Sequence, residues 1–124
     1  MKKLDYAIVF VSDMKRSVEF YRDRLGLPIK FESPHWTEFA NDGSTLALHP
    51  TGAGKAETGG LGRWLAGCCH LGFVVDDADA FHRTMESKGV KCLQPPKMQD
   101  FGGRLAIYAD PDGLPISVSE VSKK

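Results

Sequence analysis

Neither sign of charge is in excess: 16 Lys and Arg balance 16 Asp and Glu across 124 residues, for a formal net charge of zero. Nothing global therefore draws the chain to nucleic acid or to an anionic membrane, since both attractions need accumulated positive charge. Long apolar runs are missing too. The longest near the N-terminus, Tyr6–Val11, is cut off by Ser12 and Asp13, whereas a secretory core needs about 7–15 apolar residues and a membrane span about 20. Neither a leader nor a span is expected. Cysteine is scarce. Cys68, Cys69 and Cys92 are the three present, and the adjacent pair could join only with strained geometry. No CxxC spacing marks a structural zinc site. Reduced thiols and a cytoplasmic location are the expectation.

What is present is an ordinary globular composition, 42% hydrophobic and 26% charged, in a chain long enough for one domain or two half-size modules sharing a core. An internal near-repeat favours modules. Tyr6–Asp13 (YAIVFVSD) and His70–Asp77 (HLGFVVDD) both read as a short strand ending in capping residues. Ser12 or Asp13, and Asp76 or Asp77, are natural helix N-caps. In the first helix Met14, Val18, Tyr21 and Leu25 make one apolar stripe. Gly26 and Gly89 stand where a left-handed residue would close each helix.

Three extended segments follow each helix. The first set is about Leu27–Glu32, Trp36–Ala40 and Ser44–His49, with a tight turn at Asn41–Gly43. The second is about Val90–Leu93, Arg104–Ala109 and Leu114–Val121, with a turn at Asp110–Gly113. Each half thus reads β-α-β-β-β. The boundaries expected are about 1–50 for the first module, 51–66 for a glycine-rich connector and 67–124 for the second. The GAGK stretch ending at Lys55 lacks the glycine and hydroxyl spacing of a phosphate loop.

Strand alternation separates two faces. Ala7, Val9 and Val11 oppose Tyr6, Ile8 and Phe10; Leu71, Phe73 and Val75 oppose His70, Gly72 and Val74. Leu46 and Leu48 oppose Ala47 and His49, as Ile116 and Val118 oppose Ser117 and Ser119. One face can bury against a helix, and the other suits the lining of a cavity or an exposed curved sheet.

The duplicated module resembles the vicinal oxygen chelate superfamily of glyoxalase I, bleomycin-resistance proteins and extradiol dioxygenases. Three stretches carry the resemblance: VSDMKRSVEFYRDRLGL, HLGFVVDDADAFHRTMESKGV and ADPDGLPI. The resemblance implies an α+β fold of two tandem βαβββ modules, forming an open, barrel-like curved mixed sheet with helices on the outer side. It also implies a homodimer and a small-molecule site in the sheet concavity. Metal-dependent members place one ligand on each of four strands, commonly a histidine on the first strand of each half and a glutamate on the last. Carried onto this chain, those positions are Tyr6, Ala47, His70 and Ser117. Alanine offers no donor, and a phenol and a hydroxyl are poor ligands for a catalytic divalent ion.

The leading expectation is therefore a protein that binds a small molecule in the concave sheet cavity without the usual metal tetrad, and no cofactor is predicted. The candidate ligand-binding residues are Tyr6, Trp36, Glu38, His49, His70, Arg104 and Ser117. Trp36 either stacks on a flat ligand or fills the core. Glu38 binds a cation, Arg104 clamps an anion or pairs with a carboxylate, and His49 is either in the site or at the surface. The alternative is a divalent-metal-dependent glyoxalase-type lyase or isomerase, or a dioxygenase, using a displaced site around His49 and His70. Its ligand would sit about 6.5–7 Å along a strand from the usual place. His35 and His82 are expected at the surface. Cys68, about 6.5 Å along a strand from His70, is too distant to share a proton with it directly.

Overall fold

The computed structural model describes residues 3–52, 66, 69–100 and 102–120. Beyond Gly52, the connector, including Trp64 and Leu65, lies outside them except for residue 66, as does Cys68. The chain divides into two compact units, residues 1–55 and 56–124.

The first unit runs β1 (Tyr6–Val11), α1 (Met14–Glu19), β2 (Ile29–Glu32), β3 (Thr37–Phe39) and β4 (Thr45–Pro50). Its sheet has the order β1-β4-β3-β2, with β1 parallel to β4 and the other pairings antiparallel. A parallel neighbour needs a crossover, and α1 is part of it. Asp13 caps α1 by accepting from the Arg16 backbone N–H. The helix then widens into a π-helical turn over Phe20–Arg24, where Leu25 N–H donates to the Phe20 carbonyl at 3.0 Å. This turn departs from the single α-helical stripe expected. Of that stripe Val18 and Tyr21 are buried, and the widened turn also brings Phe20 inside against Tyr21. Gly26 ends the segment at φ +84°, in the left-handed region open to glycine.

The second unit repeats the plan: β5 (Leu71–Val75), α2 (Ala78–Ser87), β6 (Cys92–Met98), β7 (Arg104–Ala109) and β8 (Pro115–Glu120). The sheet order is β5-β8-β7-β6. Asp77 caps α2 by accepting from Ala80 N–H, and Gly89 at φ +69° follows its end. Glu120, buried at the end of β8, accepts from Ala78 N–H at 3.1 Å and ties the helix start to the sheet. In the turn before β8, Asp110 Oδ1 accepts from the Asp112 and Leu114 backbones.

β6 is longer than the expected Val90–Leu93. Pro95 and Pro96 fall within it, and β6 is an edge of its sheet, where missing donors are tolerated. Its register against β7 is irregular between Cys92 and Lys97, across the two prolines. In each unit one sheet face is apolar and packs on its own helix. Leu46, Leu48 and Phe39 are buried in the first; Ile116, Val118, Ala106 and Tyr108 are buried with Met85 in the second. These mixed sheets with their two helices give the tandem α+β plan expected from the sequence.

Candidate ligand-binding face

Residues paired across neighbouring strands share a face, so register assigns each side chain. In the first unit Ile8, Ala47 and Glu38 stand side by side on β1, β4 and β3. Phe10 pairs with His49 on the same face, and Tyr6 pairs with Thr45. All lie opposite the helix-facing row of Ala7, Val9, Leu46 and Leu48. Trp36, just before β3, joins them through its ring contacts. Its indole meets Tyr6 edge-on at 6.2 Å between centroids and His49 at 6.3 Å, and His49 in turn meets Phe10 at 5.7 Å.

The polar groups are oriented as well. Trp36 Nε1 donates to Glu38 Oε2 at 2.8 Å, tying the indole to the carboxylate. His49 Nδ1 lies 2.7 Å from the Pro50 carbonyl, an acceptor, so Nδ1 carries the proton and a neutral ring keeps its lone pair on Nε2. Ala47 is wholly buried although its face is not covered by α1. The rings of Tyr6 and Trp36 meet edge-on on the same face.

This face is more apolar than the sequence reading held. Ile8, Phe10 and Phe31 are about half exposed or more, and Tyr6 is 44% exposed. Phe10 and Phe31 were not among the expected site residues. Phe10 was detectable, since it shares the alternation of Tyr6, whereas Phe31 reaches its place through a register irregularity in β2.

The corresponding face of the second unit is small and polar. Gly72 pairs with Ser117 and Val74 with Ser119. His70, at the entrance to β5, sets Nε2 2.9 Å from Ser117 Oγ. The four positions that match the family's metal ligands therefore hold a half-exposed phenol, a buried methyl group, and a histidine and serine bonded to each other. Among the described residues no three His, Cys, Asp or Glu side chains come together as a metal site. The donor set does not fit a divalent ion in the usual geometry.

Arg104 stands apart from these residues. It occupies the helix-facing row of β7, and its Nε lies 3.7 Å from Asp79 Oδ2 at the start of α2. His82 corrects the surface expectation: it is partly buried, with Nδ1 2.9 Å from the Tyr108 hydroxyl and Nε2 3.7 Å from Glu86. His35 is exposed, as expected. A cavity of about 680 Å³ lies between α1 and the segment that leaves β2, Glu32–Pro34. It is lined by charges of both signs, Lys15, Arg22, Glu19 and Glu32, and shares no residue with the uncovered sheet face.

Two βαβββ units, each with one parallel and two antiparallel strand pairings, define the glyoxalase-type fold. The model of the Glyoxalase/Bleomycin resistance protein/Dioxygenase superfamily matches residues 3–118, and the chain belongs to that superfamily. YraH of Bacillus subtilis (strain 168) is 33% identical over 119 residues, covering 90% of this chain and 92% of that protein. The anthracycline biosynthesis protein DnrV of Streptomyces peucetius is 29% identical over 122 residues, 86% of this chain but 42% of DnrV. Among solved structures, a glyoxalase/dioxygenase from Nostoc punctiforme is similar in fold, with a TM-score of 0.85 at 20% identity, covering 98% of this chain and 92% of that one. No helix among the described residues is long and apolar enough to cross a membrane.

Proposed function

We propose that this chain is a small-molecule-binding member of its superfamily, taking a flat organic ligand on the uncovered sheet face of its first unit without the usual metal tetrad. One observation carries the reading. Tyr6, Trp36, His49 and Phe10 form a continuous set of edge-on ring contacts on that face while remaining partly open to solvent. Core aromatics are normally shut away from water; aromatics fixed by neighbours and left accessible offer stacking area at little further entropic cost. The kinship with a protein of anthracycline biosynthesis supports a small organic ligand. The alternative, metal-dependent glyoxalase or dioxygenase chemistry at a displaced site, has no convergent donor group among the described residues to favour it. A homodimer remains part of the proposal, to be read by light scattering.

The test is a thermal-shift and calorimetric screen against flat aromatic metabolites and antibiotics. A ligand that binds the native state raises its apparent stability. A hit that is lost in Trp36→Ala, with the fold intact by circular dichroism, supports the reading. Stoichiometric metal with turnover of the methylglyoxal–glutathione adduct would replace it with catalysis.

A further inference from the structure

We infer that the ligand of this face is an organic cation, its positive nitrogen held against the Tyr6–Trp36 ring pair with Glu38 as counter-charge. The inference rests on the reading of the face as a small-molecule site and names what that molecule must carry.

Three observations lead there. Glu38 is half-buried, and its neighbours in register on either side are Ala47 and Phe31, neither able to compensate a charge. Among the described residues no basic side chain pairs with it, and its one hydrogen bond takes Oε2 alone. The other carboxylate oxygen is left to a ligand. A part-buried carboxylate with no cationic partner gains Coulomb energy from a ligand that brings positive charge.

The rings complete the argument. Electron-rich ring faces attract cations, indole most strongly, and the Trp36 N–H donated to a carboxylate makes the indole a better partner still. Tyr6 meets that indole edge-on, so the two rings are set at an angle of 62° and form two walls of a corner. Lys30, on the same face, directs its ammonium at Thr45 Oγ1, with Nζ 3.4 Å away, and makes no ion pair with Glu38. An anionic ligand would meet Glu38 unfavourably, and a neutral one would leave its charge unmatched.

The experiment compares two probes by calorimetry on the full chain: N-methylquinolinium, a permanent flat cation, and quinoline, its neutral counterpart at neutral pH. The wild type is expected to bind the cation more tightly, and added salt to narrow the gap. Glu38→Gln keeps an oxygen for Trp36 Nε1 while removing the charge. It is expected to weaken N-methylquinolinium about tenfold and to leave quinoline unchanged, the retained quinoline binding serving as the control for folding. Trp36→Ala is expected to lose both probes. Equal binding of the two probes by the wild type, or equal weakening of both in Glu38→Gln, overturns the cation inference and leaves the aromatic site standing. Failure of both probes to bind the wild type overturns the inference and the function proposed above together.

Discussion

His70 Nε2 and Ser117 Oγ meet at 2.9 Å across the β5–β8 pairing. These are the two positions of the second unit at which the superfamily's metal ligands would stand, and here they satisfy each other. A single imidazole already engaged by a hydroxyl is a weak basis for holding a divalent ion, which needs several convergent donors.

Protein purified without chelators is accordingly expected to carry no stoichiometric nickel, zinc, manganese or iron. Titration with each ion should show only weak binding that His70→Ala leaves unaltered. Elemental analysis and calorimetry read the result. One equivalent of metal per chain, lost in His70→Ala, contradicts the expectation.

The buried Tyr108 hydroxyl should make the protein sensitive to alkali. Burial first, then the nearby Cys92 and Glu86, hold this phenol well above its ordinary value near 10. In the unfolded chain the phenol ionises from about pH 10, while the folded chain keeps its proton. The folded state then binds more protons, so stability falls as pH rises past that point and is unaffected below it. Tyr108→Phe should flatten this alkaline slope in denaturant titrations. At neutral pH it should cost about 1 kcal/mol, because His82 Nδ1 loses its hydroxyl partner.

Gly26 isolates a backbone effect. At φ +84°, a Cβ placed there would touch nothing within 4 Å. Gly26→Ala therefore reports the cost of the left-handed conformation alone, about 1–2 kcal/mol. Urea unfolding should show a lower midpoint at unchanged slope. An unchanged midpoint would mean that the chain leaves α1 by another route.

These residues also mark what the sequence could disclose. Asp13, Asp77, Gly26 and Gly89 act through bonds or torsions a few positions away, so their roles are readable from local chemistry, and so is the β-α-β-β-β order they punctuate. The two faces of β1, β4, β5 and β8 follow from simple alternation. Less local features were hidden. The π-helical turn at Phe20–Arg24 depends on burying Phe20 beside Tyr21. β6 depends on its edge position excusing two prolines, and the setting of His82 depends on Tyr108 from a distant strand. In the candidate site, the residue types were legible but their grouping was not. Tyr6 on β1 and Trp36 just before β3 are thirty residues apart in sequence, and their ring contact appears only in the folded sheet.

The last point of test is Ala47, wholly buried between Ile8 and Glu38 on the face that carries the Tyr6–Trp36 contact. If the two rings close over it, a larger side chain must force them apart. Ala47→Leu is expected to lose about 1–3 kcal/mol in denaturant unfolding, the usual cost of overfilling a packed position, and to weaken quinoline binding with it. Ala47→Gly loses about 1 kcal/mol or less through strand entropy but leaves the ring pair in place, so quinoline binding should survive. Wild-type stability and binding in Ala47→Leu would show that the rings have room to spare, and that the burial of Ala47 has another cause.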